Sequence, residues 1–183
     1  MSTFAAPRTS AARTSAPRTS APRSILALVA FLAIAYAVAA LGSLATLTHV
    51  DGWYADAEKV FWTPPNVVFG PVWTVLYGVM SVAAWLVWRE RDRVDVRRPL
   101  TLYVAQLVLN ALWTPVFFAL YPTIGATALW IAAAIIVALD VMVLLTMLSF
   151  WRVRRVAAVL LIPYWAWVLY ATTLDVGAAV LNP

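Results

Sequence analysis

Trp73 and Tyr77 stand four residues apart, as do Asn110 and Thr114, and on helices each pair shares one face about a turn apart. Two such faces brought together enclose a largely apolar cavity with flat walls and a few polar handles, the usual make-up of a small-molecule site. Stacking and hydrogen bonding are the chemistry these residue types offer. The same residues also serve plain helix packing, since Asn and Thr bond between helices in lipid and tryptophans near helix ends anchor at the headgroup level. Anchoring is the role assigned to Trp53, Trp62, Trp88, Trp130 and Trp151; for Trp73 and Trp167 spacing alone leaves both readings open.

Other chemistries lack their parts. His49 is the single histidine and the chain has no cysteine, so neither a protein-built metal site nor firm axial haem ligation has its ligands. No metal and no resident cofactor is implied. No nucleophile, base and orienting group occur together, and no glycine-rich phosphate loop is present. Asp140 falls within a long apolar run, where a carboxylate marks function by default. It is also near enough to Arg152, Arg154 and Arg155 to reach outward to water, and the two readings stand level.

The elements that must position these residues are set by composition. Of 183 residues, 64% are hydrophobic and 11% charged, against about 25% charged in soluble domains. Five runs, 24–48, 65–88, 99–121, 124–150 and 156–181, reach the roughly 20 apolar residues a bilayer-spanning helix needs. They are apolar all round and lack the period-two alternation of barrel strands. The fold class is therefore an all-α integral membrane protein, a five-transmembrane-helix bundle occupying residues 24–183. Residues 1–23, with Arg8, Arg13, Arg18 and Arg23 in Ala/Pro/Thr/Ser-rich sequence, form a disordered tail. Phe4 is the single aromatic beside those arginines and no folded element accompanies them, so they read as a membrane-surface anchor rather than a nucleic-acid contact.

Twelve of the thirteen basic residues fall on one side of this arrangement, leaving only Lys59 on the other. The positive-inside rule then makes the N-terminus cytoplasmic in a multi-pass protein of the cell membrane. No internal repeat suggests an inverted-repeat transporter. Pro71, Pro115 and Pro163 lie in or near helix ends, where each removes a backbone hydrogen bond and permits a bend.

The strings Trp53-Tyr54, Lys59, Phe61-Trp62-Thr63-Pro64-Pro65, Phe69-Gly70-Pro71-Val72-Trp73-Thr74-Val75-Leu76-Tyr77, Gln106 to Phe118 and Pro163-Tyr164-Trp165-Ala166-Trp167 follow one another in an order that resembles the TspO/MBR family. These are the tryptophan-rich sensory proteins and the translocator (peripheral benzodiazepine receptor) proteins. The resemblance implies a commonly dimeric five-helix bundle. Its pocket, beneath the loop joining the first two helices, takes porphyrins, haem-like tetrapyrroles, sterols and synthetic ligands. Carried over by position, the pocket residues are Trp73, Tyr77, Asn110, Trp113, Thr114, Trp167, Ala171 and Leu174. Light-driven porphyrin degradation reported for some members is attributed to the tryptophans matching Trp73 and Trp167.

Three departures qualify the resemblance. Val60 stands where the family usually has Pro, which makes the loop less rigid. No basic residue follows Leu174, so the sterol consensus is incomplete and sterol is the weaker partner. Asp175 replaces an Asn, and an ionised carboxylate facing the pocket would oppose porphyrin propionates. Three functions compete at this point: a tetrapyrrole-binding sensor, carrier or scavenger, a light-dependent porphyrin-degrading enzyme, and a proton- or ion-coupled transporter using Asp140 and Asp175.

Overall fold

In lipid every backbone polar group must be satisfied within the chain, and these apolar runs meet that demand as helices. The computed structural model describes residues 21–47 and 49–183; residues 1–20, which include most of the tail expected to be disordered, lie outside them. The elements are α1 (Ala21–Leu47), α2 (Trp53–Asp56), α3 (Asn66–Trp88), α4 (Arg97–Phe118), α5 (Tyr121–Ile124), α6 (Ala126–Val153), α7 (Arg155–Leu160) and α8 (Ile162–Leu181). Five spans, with α7 and α8 counted as one, are long and apolar enough to cross a membrane.

Proline chemistry explains where the boundaries depart from the expected ones. The third spanning helix ends at Phe118 rather than Tyr121, because Pro122 has no N–H to continue it and instead starts the short α5. Gly125 follows with φ of 59°, a conformation that suits glycine, and turns the chain into α6. Pro163 likewise interrupts the last run, so α7 stops at Leu160 and α8 resumes at Ile162. The first helix begins at Ala21, three residues before the expected Ser24.

Each spanning helix packs on two principal neighbours: α1 on α3 and α4, α4 on α6, α6 on α7 and α8, and α7 on α3. Around the bundle the order is therefore α1, α3, α7–α8, α6, α4 and back to α1. Met80, Tyr103, Ile136, Leu139, Phe150 and Tyr164 fill the centre, each at most 2% exposed. Ile25, Leu26, Leu41, Leu44, Val104 and Val137 stay on the outside, as residues solvated by lipid tails do. A second cluster of Tyr54, Phe117, Leu129 and Ala178 caps one end under the α1–α3 loop. At the opposite end Arg154 bonds Glu90 at 2.7 Å and ties the α6–α7 junction to the α3–α4 loop.

Because α3 crosses the bilayer between them, Ala57 and Arg93 belong to opposite faces. The chain has no native cysteine, so single cysteines at these positions are clean reporters. They are expected to label with an impermeant thiol reagent from opposite sides; labelling from the same side would remove the five-span arrangement.

Candidate ligand-binding site

A cavity of about 350 Å³ opens inside the ring of helices at the end covered by the α1–α3 loop. Its wall is aromatic. Trp73 of α3 stands 5.8 Å from Tyr77 and 6.2 Å from Trp113 of α4, ring centre to ring centre, and Trp113 continues to Phe117 at 5.9 Å. A flat ligand sandwiched between two rings needs roughly 7 Å, twice the usual 3.5 Å contact. Trp73 and Trp113 are closer than that and tilted by 37°. The geometry leaves room for a flat molecule against this wall on its cavity side, not between its members.

Polar handles sit at the inner end. Tyr77 donates to Asn110 Oδ1 at 2.5 Å, Asn110 donates through Nδ2 to Tyr164 at 3.1 Å, and Tyr164 donates to Gln106 Oε1 at 2.7 Å. Gln106 and Asn110 are four residues apart on α4, so one helical face supplies both amides. Asn110 keeps a second amide hydrogen and a lone pair for a ligand. Replacing Asn110 with Leu leaves the Tyr77 and Tyr164 hydroxyls without that partner. At about 0.6 to 1.7 kcal/mol for each interhelical bond in lipid, the two bonds together predict a loss of roughly 1–3 kcal/mol in denaturant unfolding of the detergent-solubilised protein. An unchanged unfolding curve would show that the network contributes nothing.

Seven of the eight pocket residues expected from the sequence line this one cavity: Trp73, Tyr77, Asn110, Trp113, Thr114, Ala171 and Leu174. Trp167 is not among them. Its ring packs 5.9 Å from Phe69 and 5.5 Å from Tyr170, and Phe69, not Trp167, lines the cavity. Asp175 does line it, 1% exposed, with Oδ2 accepting a 2.7 Å bond from Trp113 Nε1 and Oδ1 buried without a partner. Asp140 lies elsewhere, between α6 and α8, where Thr172 donates to it at 2.7 Å. The two carboxylates thus do not share the cavity.

The loop above is fastened rather than loose, although Val60 stands where Pro was expected to stiffen it. The Asn182 side chain makes a reciprocal pair of 3.0 Å bonds with the Glu58 backbone. Trp62 donates to Thr173 at 3.1 Å, Tyr170 donates to the Trp62 carbonyl at 2.6 Å, and Trp53 donates to the Phe118 carbonyl at 2.8 Å. Val60 itself seats on Gly177 of α8 so closely that a Cβ there would fall 2.5 Å from its Cγ1, which only glycine accommodates. Beneath the loop, burial and then the nearby Asp175 push the Tyr54 phenol above its ordinary range, so it stays a neutral hydrogen-bonding group. Lys59 holds its ammonium 4.8 Å from the Tyr54 ring centre and bonds the Ala55 and Ala57 carbonyls at 3.1 and 3.0 Å.

Sequence reasoning missed Phe69, Tyr54 and Phe117 as lining residues and Tyr164 as the inner anchor. Phe69 precedes Trp73 by four, so the same helical spacing that paired Trp73 with Tyr77 extends to it. Tyr54 carried no such signal, since it reaches the cavity only through the folding of the loop.

Five spanning helices around an aromatic-walled cavity, closed at one end by the first long loop, define a class of multi-pass membrane helix bundles. The TspO/MBR family model matches residues 30–181. "Tryptophan-rich protein TspO" of Archaeoglobus fulgidus is 38% identical over 160 residues, 87% of this chain and 99% of the relative. The translocator protein of Homo sapiens is 38% identical over 131 residues, 69% of this chain and 74% of the relative. The tryptophan-rich sensory protein of Cereibacter sphaeroides is 38% identical over 148 residues, 79% and 88% respectively. The chain belongs to the TspO/MBR family.

Proposed function

We propose that the protein binds porphyrins and related flat tetrapyrroles in this cavity and acts as a membrane sensor, carrier or scavenger for them. The observation that carries the reading is the continuous wall of Tyr77, Trp73, Trp113 and Phe117 facing a cavity with the Asn110 amide at its inner end. Such a wall offers broad π-faces to a flat apolar ring, and the amide gives it an orientation. At about 350 Å³ the cavity is at the small end of ligand pockets. A macrocycle therefore engages by one edge, and the fastened loop must yield for deeper entry. The names of the relatives, sensory protein and translocator protein, fit a role in detecting or moving such a ligand. By the positive-inside rule the arginine-rich end faces the cytoplasm of a cell membrane, and the loop and cavity mouth face away from it.

Degradation of porphyrin by paired tryptophans is the second reading, and the placement of Trp167 behind Phe69 weighs against it. Ion-coupled transport is less favoured still, because Asp140 and Asp175 do not line one path. The test is titration of purified protein with protoporphyrin IX, followed by absorbance in darkness and in light. Saturable binding with pigment recovered unchanged in both conditions upholds the binding role. A new absorbing product in light moves the assignment to the enzyme, and absence of any saturable change removes the tetrapyrrole reading.

A further inference from the structure

At the opposite end of the bundle, far from the aromatic wall, the first turns of α1 and the last turn of α3 border a second cleft, a shallow groove that is open along its length to the surroundings. Its floor is apolar, made of Leu26, Ala27 and Ala30, and its rim carries Arg23, Arg91 and Trp88. We propose that this cleft is a binding site for one anionic phospholipid, with the phosphate held between Arg23 and Arg91 and an acyl chain lying along Leu26, Ala27 and Ala30.

The two arginines are brought together by the fold. Trp85 donates through Nε1 to the Ser24 carbonyl at 2.8 Å, which pins the start of α1 to the end of α3 next to Arg23. Arg91 lays its guanidinium 3.4 Å from the Trp88 ring centre and donates to the Trp88 carbonyl at 3.1 Å. Its side chain is only 27% exposed, so little freedom is left to lose when an anion arrives. Stacking on Trp88 leaves guanidinium donors to offer, and a fork of N–H groups matches phosphate oxygens.

Local acids do not cancel this charge. Arg23 is the only charged residue on α1. Glu90 is engaged by Arg154 at 2.7 Å and by Arg93 at 3.3 Å. Asp92 lies 4.0 Å from Arg91 Nε with its side chain half in water, where screening weakens its hold. Arg89, over the Trp85 ring at 4.9 Å, adds to the positive field.

A free phosphate could use the arginines alone, but it would leave the apolar floor uncovered. Leu26, 70% exposed, stands at the depth where a lipid chain begins, and Trp88 occupies the interfacial level typical of aromatic belts. An anionic phospholipid satisfies both halves of the cleft, whereas a zwitterionic one brings a cation to the arginine rim.

The experiment uses the full chain in neutral detergent, with lipid retention read by native mass spectrometry. Phosphatidylglycerol, phosphatidylcholine and soluble glycerol phosphate are the three arms. One phosphatidylglycerol is expected to be retained in preference to phosphatidylcholine, and glycerol phosphate is not expected to compete at matched concentration. Arg91→Gln and Arg23→Gln should each weaken retention about fivefold, the size expected for one basic residue at an anionic surface. Ala27→Phe, which fills the floor and leaves both charges, should abolish the preferential site. Arg98→Gln, which removes the same charge outside the cleft, should change nothing. Equal loss in Arg98→Gln would mean diffuse surface attraction and overturn the proposal. Equal retention of the two lipids, displacement by glycerol phosphate, or full retention in Ala27→Phe would overturn it as well.

Discussion

Replacing Trp73 with Ala is expected to weaken protoporphyrin IX binding by about 1–3 kcal/mol, roughly 5- to 150-fold, if each stacked ring contributes as aromatic platforms do for bases. Trp73 sits at the centre of the wall, with Tyr77, Trp113 and Tyr164 within 5.8, 6.2 and 6.3 Å of its ring centre. Its removal therefore breaks the wall in the middle. Binding should be measured by quenching of the remaining tryptophans, beside an unfolding curve of the same preparation. Trp151→Ala, at a ring that is 51% exposed on the outer surface, should leave binding unaltered. Trp167→Ala should have a smaller effect than Trp73→Ala, because Trp167 does not line the cavity and packs on Phe69, which does. Equal losses at all three positions would trace the effect to folding.

Asp175→Asn is expected to tighten binding of the same porphyrin at neutral pH. The carboxylate lines the cavity, and its Oδ2 accepts from Trp113. An amide oxygen preserves that bond while removing the negative charge that opposes the propionates. Two like charges roughly 8–16 Å apart at an effective dielectric of about 20 repel by about 1–2 kcal/mol, so full ionisation of Asp175 sets a ceiling of roughly 5- to 30-fold on the gain, and burial of the side chain holds the gain below that ceiling at neutral pH. Asp175→Leu separates the two roles, since it removes the charge and also leaves the Trp113 N–H without its acceptor. Affinity for Asp175→Asn indistinguishable from wild type would show that Asp175 puts no charge within reach of the propionates, through distance or through the neutrality that burial favours.

The spanning helices were legible because length and apolar composition alone decide what crosses a bilayer. Their ends were less so. The run that became α7 and α8 reads as continuous, and only the missing N–H of Pro163 splits it; Pro122 shortens α4 in the same way. The cavity was legible where helical spacing places residues on one face, as for Trp73 with Tyr77 and Asn110 with Thr114. Trp167 and Ala171 are also four apart, yet only Ala171 reaches the cavity. The Trp167 ring packs on Phe69 of α3 as well as on Tyr170 of its own helix, and the neighbour from α3 is one that local spacing does not encode. The loop escaped for a related reason: Val60 signalled looseness by its own backbone freedom, while the contacts that fasten it come from Asn182 and Gly177, more than a hundred residues later. The second cleft was hidden because Arg23 and Arg91 meet only through the packing of α1 against α3.

If the tetrapyrrole binds in the cavity under the α1–α3 loop, filling that cavity must remove protoporphyrin IX affinity. Ala171 forms part of its wall and is 4% exposed, so Ala171→Phe places a ring in the space the ligand needs. Wild-type protein is predicted to bind one porphyrin per chain saturably in darkness. The folded Ala171→Phe protein, checked by its helical circular dichroism and unfolding temperature, is predicted to bind at least 100-fold more weakly, the order expected when about 3 kcal/mol of stacking is lost. Wild-type affinity retained in Ala171→Phe would move the ligand out of this cavity.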